Sequence, residues 1–110
     1  MSAICEVNDD NFKGALTDAP LVLVDLWAAW CGPCRQLEPI IAAAAGKYAA
    51  RVKFCKVDVD DSPLLVTKYD VQAVPTLLFL RAGEPVGRHL GLLSLSDLEN
   101  KLDSFLEENA

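Results

Sequence analysis

The residues in this sequence best suited to chemistry are two cysteines, Cys31 and Cys34, which are separated by Gly-Pro. Residues 21–26, which are all apolar except for one carboxylate, precede the two cysteines. Apolar residues with helical spacing follow them. This order predicts a strand-to-helix turn at the pair. Unpaired N–H groups and the positive end of the macrodipole at a helix N-terminus favour a thiolate over a thiol. The pattern therefore predicts thiol–disulfide exchange.

The two cysteines are predicted to play different parts in that exchange. Cys31, at the turn itself, is expected to be partly exposed and to act as the nucleophile. Cys34 lies one turn further into the helix and is expected to be more buried, where it would resolve the mixed disulfide formed by Cys31. Pro33 between them has no N–H group and a fixed φ, so it stiffens the ring that the two sulfurs close.

Two structural interpretations of the pair are disfavoured. A disulfide that closes a four-residue ring would constrain the unfolded chain by only about 2 kcal/mol, which is little for a structural bridge. A zinc site generally needs a second spaced pair of ligands, and Cys5, Cys55 and His89 do not provide one. We therefore expect no bound metal. Three acidic residues are interpreted as a solvated turn rather than a metal site: Asp58, Asp60 and Asp61.

One carboxylate, Asp25, interrupts the apolar strand that leads to the cysteines. Burial in such a strand would raise its pKa, because an apolar environment disfavours the charged form. Since it lies on the strand that feeds the active turn, we hypothesise that it exchanges a proton with Cys34, directly or through water, during the resolving step. The alternative is a buried ion pair with a structural role only.

The elements that must position these residues alternate along the chain. Apolar and β-branched runs predict strands over 3–7, 21–27, 52–59, 76–80 and 85–90. Helical spacing and capping residues predict a short helix after Asn8-Asp9-Asp10, a long helix from Cys34 to Tyr48, a short helix after a Ser62 cap, and a last helix capped by Ser94 or Ser96. This alternation predicts an α/β fold with a parallel sheet covered by helices on both faces and completed by an antiparallel hairpin.

Length and charge restrict the class of protein. With 110 residues the chain suits one domain, which we expect to span residues 1–110. A net charge of −6 repels phosphate backbones, so we expect no nucleic-acid binding. No apolar run approaches the roughly 20 residues of a membrane span, and the first residues lack the pattern of a secretory signal. We therefore expect a cytoplasmic protein without membrane contact.

The sequence Trp30-Cys31-Gly32-Pro33-Cys34, together with Val74-Pro75-Thr76, resembles the thioredoxin family, and the resemblance spans essentially the whole chain. It implies the thioredoxin fold, with a central mixed five-stranded sheet flanked by four helices on both faces. It also implies a general protein-disulfide reductase without a bound cofactor. The implied partners are a thioredoxin reductase, which supplies electrons from NADPH or ferredoxin, and disulfide-containing client proteins. We expect the protein to be a monomer.

Residue roles also follow from this resemblance. It implies an acid at Asp25 and places Lys56 on the adjacent strand as its partial partner. Pro75 would be the cis-proline that faces the disulfide, and it would turn the Val74 backbone outward to pair with an extended substrate. A flat apolar surface for loose recognition of many substrates would then consist of Trp30, Gly32, Pro33, Val74, Pro75 and Gly91.

The remaining predictions concern less specific residues. Cys5 and Cys55 lie on predicted strands and are interpreted as inert core thiols. Their strands are neighbours in the family fold, so a disulfide between them is an open alternative. His89 is expected on the surface of the edge hairpin. Two residues depart from the common family pattern and are expected to shape partner preference: Ala73, where a glycine is frequent, and Leu92, where a small residue is frequent.

Two other functions are weighed against the reductase. A non-catalytic module for assembly or chaperone work would not need the two thiols. An oxidase or isomerase of an oxidising compartment commonly carries a histidine between the cysteines, where this chain has Gly32-Pro33. The presence of both thiols and the absence of a histidine between them therefore favour the reductase.

Overall fold

A mixed five-stranded sheet forms the centre of the protein, as seen in the computed structural model, which describes residues 4–108. In chain order the elements are β1 (Ile4–Glu6), α1 (Phe12–Ala15), β2 (Val22–Trp27), α2 (Gly32–Tyr48), β3 (Lys53–Asp58), a 3-10 turn (Val59–Asp61), α3 (Pro63–Lys68), β4 (Thr76–Arg81), β5 (Glu84–Leu90) and α4 (Leu95–Glu108). The strands lie side by side in the order β1-β3-β2-β4-β5. The first three of these are parallel, and β4 and β5 are antiparallel to their neighbours. The predicted α/β fold, with its mixed sheet and four helices, is confirmed.

The central position of β2 explains why its sequence is almost continuously apolar. Leu23 packs on the side of the sheet covered by α2 and α4, where the core includes Leu37 and Leu98. Val24 packs on the opposite side, against a cluster that includes Leu65 of α3. Each fully buried aliphatic side chain contributes about 1.5–3 kcal/mol, so a strand buried on both faces strongly favours apolar residues. A carboxylate on this strand is therefore forced into the protein interior.

The first helix is short, as predicted, and irregular. Element α1 has four residues, and two of them have non-helical backbone angles, including Gly14 with φ of +80°. The residues expected to cap this helix instead fold the loop before it, where the side chains of Asn8 and Asn11 accept backbone N–H groups. Phe12 and Leu16 still pack on the core beside β2, but they do so without a continuous helical turn.

The predicted cap of α3 is wrong. The Ser62 side chain makes no capping hydrogen bond, and its buried hydroxyl has no partner among residues 4–108. Asp9 takes this role, because its carboxylate accepts the N–H groups of Leu64 and Leu65 at 2.9 and 3.0 Å. A loop residue that precedes α3 by more than fifty positions therefore satisfies its first turn.

Of the predicted starts of α2 and α4, one differs from the structure and one agrees with it. The long helix α2 begins at Gly32 rather than at Cys34, so Cys31 becomes its N-cap residue. Helix α4 has its predicted cap in Ser94, whose hydroxyl accepts the Asp97 N–H at 3.0 Å.

Strand ends differ from the predictions by at most one residue. The strand predicted over 3–7 forms as Ile4–Glu6, and its first predicted residue, Ala3, lies outside the described residues. Val59 begins the 3-10 turn instead of ending β3. These shifts leave the order and pairing of the strands unchanged.

Candidate active site

The cysteine pair closes a disulfide at the N-terminus of α2. Cys31 is the N-cap residue, and its Sγ accepts the N–H group of Cys34 at 3.2 Å. The Cys31 sulfur therefore lies against the first turn of the helix, at the positive end of its dipole. After reduction, the same N–H group and dipole stabilise a thiolate on Cys31.

The expectation that Cys31 is partly exposed is wrong for this oxidised state. Cys31 is only 4 % exposed and Cys34 is 2 % exposed, so the difference in burial between them is small. The reason is local packing, since both cysteines cluster with the buried Ala28 and with three surrounding apolar side chains: Trp27, Val59 and Val74.

Asp25 lies on β2, two residues after Leu23, so its side chain points to the same side of the sheet, the side that α2 covers. It is 5 % exposed, and its Oδ1 has no hydrogen-bond partner in the described part of the chain. Burial, with a smaller contribution from the Glu38 carboxylate of α2, raises the pKa of Asp25 from 3.8 to about 7, while Lys56 lowers it. A carboxyl group with such a pKa can both accept and return a proton near neutral pH.

Lys56 is in register with Asp25 on the neighbouring strand β3. Its Nζ forms an ion pair with Glu6 at 3.8 Å and lies 5.4 Å from the centre of the Trp27 ring. The ion pairs found within residues 4–108 do not include one between Lys56 and Asp25. The ammonium group of Lys56 therefore lowers the pKa of Asp25 without direct contact. Asp25 and Lys56 do not form the buried ion pair that was the alternative interpretation.

Glu38 is the site residue that the sequence analysis missed. It follows Cys34 by one helical turn on α2 and raises the pKa of Asp25 across the gap between helix and sheet. The spacing i to i+4 places it on the same side of the helix as Cys34. That spacing is a signal in the sequence, but only the packing of α2 on β2 shows which carboxylate it faces.

A second segment reaches the disulfide from the start of β4. The Val74–Pro75 peptide bond is cis, as the resemblance implied. The Thr76 hydroxyl donates to the Ala73 carbonyl at 2.6 Å, and the Gly91 N–H donates to the Pro75 carbonyl at 2.9 Å. Gly91 has a φ of +87°, a left-handed conformation that favours glycine. These bonds hold Val74 in the apolar cluster around the disulfide.

The predicted substrate surface has an exposed part and a recessed part. Trp30 is 69 % exposed and stands furthest out, and Gly32 and Pro33 at the start of α2 are exposed beside it. The recessed part consists of half-buried Val74 and Gly91 and of buried Pro75. The six residues of the predicted surface therefore differ widely in exposure.

Trp30 is held by a hydrogen bond that no pattern in the sequence indicates. Its indole Nε1 donates to Asp60 Oδ2 at 3.0 Å, across a separation of 30 residues. Asp60 is itself fixed in the 3-10 turn, where its N–H donates to Asp58 Oδ1 at 3.0 Å. Trp30, Asp60 and the exposed Ala73 line one groove of about 270 Å³ next to the disulfide. The acidic turn thus orients the indole that borders the site.

The other singled-out residues are placed as follows. Cys55 is buried as predicted, but Cys5 is exposed, which corrects its assignment to the core; β1 is an edge strand that is covered on fewer sides than β3. His89 is half-buried on β5, with its Nε2 at 3.2 Å from the Leu92 carbonyl oxygen. Leu92 is 43 % exposed and adjoins Gly91.

The described part of the chain contains neither a metal-binding cluster nor a membrane-spanning helix. Within residues 4–108, no group of three or more His, Cys, Asp or Glu side chains is placed to hold a metal ion. None of the helices in this part of the chain is long and apolar enough to cross a membrane.

The disulfide at the start of α2, and the sheet that carries it, are those of a thiol–disulfide oxidoreductase. Comparison with known proteins makes the assignment more specific. The family model described as Thioredoxin matches residues 3–104. A thioredoxin of Porphyra purpurea is 36 % identical over 105 residues, which cover 94 % of this chain and 98 % of the relative. A thioredoxin of Staphylococcus epidermidis is 38 % identical over 104 residues, with 94 % and 99 % covered. A protein named thioredoxin 1 from a Nostoc species is 36 % identical over 107 residues, with 96 % and 100 % covered.

The chain belongs to the thioredoxin family, and it has the disulfide-reductase role of that family. Proteins of this family work with a redox-active disulfide and without a bound cofactor. Their general partners are a reductase and proteins that contain disulfides. The resemblance found in the sequence is therefore confirmed.

Proposed function

We propose that this chain acts as a single domain that reduces disulfides in client proteins, with Cys31 as nucleophile and Cys34 as resolving thiol. The observation that carries the proposal is the hydrogen bond from the Cys34 N–H to the Cys31 sulfur at the start of α2. This N–H and the helix dipole stabilise negative charge on Cys31, whereas Cys34 lies inside the first turn of the helix. The two thiols therefore differ in reactivity before a substrate binds.

The reaction has two exchange steps. In the first, the Cys31 thiolate attacks one sulfur of a client disulfide, so a Cys31–client bond forms and the other client sulfur leaves and takes up a proton. In the second, Cys34 loses its proton and attacks the Cys31 sulfur. The Cys31–Cys34 disulfide forms, and the remaining client sulfur leaves as a thiolate and is protonated. The client gains two electrons and two protons from the cysteine pair.

Asp25 is the proposed acceptor of the Cys34 proton in the second step. It lies on the strand that leads into the active turn, on the side of the sheet that α2 covers, and its buried Oδ1 is unpaired within the described chain. Its pKa of about 7 leaves a substantial fraction of carboxylate at neutral pH, ready to accept a proton directly or through water. Burial is the main cause of this pKa, and Glu38 and Lys56 are positioning residues that raise it further and lower it, respectively.

The client is proposed to bind in extended form across the predicted substrate surface. The Val74 backbone would pair with it as an added strand, and Trp30 would cover one side of it. The remaining contacts would come from Gly32, Pro33, Pro75 and Gly91. Because these groups are apolar or backbone atoms, they recognise main chain more than side chains, which suits many different clients.

The electron supply completes the cycle. A thioredoxin reductase that draws on NADPH or ferredoxin is proposed to reduce the Cys31–Cys34 disulfide after each turnover. The setting proposed for this cycle is the cytoplasm, with the protein acting as a monomer. Separate assays with an NADPH-dependent and a ferredoxin-dependent reductase identify the electron donor.

Trapping the mixed disulfide tests the roles of the two cysteines. Cys34→Ser should accumulate a covalent adduct with a disulfide-bonded protein, detected on a non-reducing gel and mapped to Cys31 by mass spectrometry. Cys31→Ser is the matched control and should form no adduct at the active-site cysteines. An adduct on Cys34 in the Cys31→Ser variant alone would reverse the proposed roles. Equal active-site adducts in both variants would show that the two cysteines do not have distinct roles.

Rapid-quench kinetics test the role of Asp25. Asp25→Ala should form the mixed disulfide at the wild-type rate and release the client more slowly, because Cys34 loses its nearby proton acceptor. An unchanged release rate would reject this role while leaving the roles of the cysteines intact.

A further inference from the structure

The reductase cycle uses two of the four cysteines and leaves Cys5 and Cys55 without a function. Both carry free thiols, and they face each other in register across the parallel pair β1 and β3. Parallel strands lie roughly 4.8 Å apart, which falls within the Cα separations of about 4.4–6.8 Å that disulfides span. The pairing of the strands therefore gives the two residues a Cα separation that a disulfide can span.

The two side chains also share one side of the sheet. Cys55 packs in the core cluster that includes Val22, whereas Ile4 and its partner Phe54 pack on the opposite side. Since side chains alternate along a strand, Cys5 points to the same side as Cys55. Cys5 lies on the edge strand β1 and is exposed, whereas Cys55 lies on the neighbouring strand β3 and is buried.

The two thiols differ in their access to solvent. Burial raises the pKa of Cys55 to about 11; Lys53, which is bonded to Asp18 at 2.8 Å, lowers it, and Cys5 and Asp18 raise it. A buried thiol with a high pKa reacts slowly with reagents from solvent. The exposed Cys5 is accessible to them.

We propose that Cys5 and Cys55 form a second dithiol, which low-molecular-weight disulfides oxidise to an intramolecular Cys5–Cys55 disulfide, with Cys5 reacting first. This site is separate from the Cys31–Cys34 centre, and it would tie the edge strand β1 covalently to β3. The inference does not depend on the proposed reductase cycle.

The oxidation proceeds in two balanced steps. The Cys5 thiolate attacks one sulfur of the small disulfide, so a mixed disulfide forms on Cys5 and one small thiolate leaves. Cys55 then gives its proton to solvent and attacks the Cys5 sulfur, which forms the Cys5–Cys55 bond and expels the second small thiolate. Both expelled thiolates take up protons. The protein dithiol loses two electrons, and the small disulfide is reduced to two thiols. The second step is the slower one, because Cys55 is protonated at neutral pH.

The test uses the oxidised wild-type chain, in which Cys31 and Cys34 are already bonded to each other. The protein is incubated with glutathione disulfide and followed by intact mass spectrometry under non-reducing conditions. We expect a transient glutathione adduct on Cys5, then a product without adduct that has lost two hydrogens. A protease digest of this product should contain a peptide from β1 linked to a peptide from β3.

Two variants serve as matched controls. Cys55→Ala should stop at the glutathione adduct on Cys5, and Cys5→Ser should remain unmodified because the remaining thiol is buried. The wild-type result decides the matter even where a variant folds poorly. A wild-type protein that stops at the adduct, that links to a second chain through Cys5, or that does not react would overturn the proposal.

Discussion

A single buried carboxylate, Asp25, links the stability of the fold to the chemistry of the cysteines. Its pKa is 3.8 in the unfolded reference and about 7 in the folded chain. The folded chain therefore binds more protons than the unfolded chain between these values, and the free energy of unfolding falls as pH rises through this window. Because a pKa difference of one corresponds to about 1.4 kcal/mol, the loss reaches roughly 4 kcal/mol above neutral pH.

Removing this charge should stabilise the protein in a pH-dependent way. Asp25→Asn keeps the side-chain volume and should raise the free energy of unfolding by roughly 1–3 kcal/mol at about pH 8, with little gain at about pH 4. Asp25→Ala should follow the same pH trend with a smaller gain, because it leaves a cavity. Guanidinium chloride unfolding of the oxidised protein measures both. Equal gains at the two pH values would contradict the burial of an ionisable Asp25.

The two charges near Asp25 should shift its pKa in opposite directions. Glu38→Gln removes a nearby negative charge and should lower the pKa of Asp25, whereas Lys56→Gln removes a positive charge and should raise it. A pH titration of the Asp25 carboxyl carbon by NMR measures both shifts. If both variants moved the pKa in the same direction, the positions inferred for these two charges would be wrong.

Among the elements, α3 shows most clearly what local sequence does and does not determine. Pro63 at its first position follows from the sequence, and so does the existence of a short helix there. The identity of the capping group does not follow from the sequence. Ser62 has the position and side chain of a cap, but Asp9, which is far away in the chain, caps the helix. Local pattern predicts that a helix begins, and tertiary structure decides which side chain reaches its free N–H groups.

Asp9→Ala should destabilise the protein by about 1 kcal/mol, because two N–H groups of α3 lose their partner. Asp10→Ala is the control, since Asp10 is an exposed neighbour of the same charge whose carboxylate does not cap α3. Urea unfolding of both variants gives the difference in free energy. A loss of equal size in the two variants would mean that overall charge, rather than the cap, is responsible.

For the molecule as a whole, the alternation of strands and helices predicts the sheet and its two covered faces. The spacing of Cys31 and Cys34 predicts the chemistry, because motif and helix start coincide. The burial of Cys31 and the exposure of Cys5 are not predictable in this way, since they depend on how loops and edge strands pack. The bond between Trp30 and Asp60 is likewise a product of the folded loop arrangement.

The central claim is that Cys31 is the nucleophile of a protein-disulfide reductase. The most direct measurement is the rate at which the chain reduces a disulfide-bonded protein while a reductase and NADPH, or a chemical dithiol, regenerates it. Wild-type protein should sustain many turnovers, and Cys31→Ser should fall to the background rate, because no thiolate remains at the N-cap of α2. Equal rates for the two proteins, or no turnover by wild type with either electron source, would contradict this account.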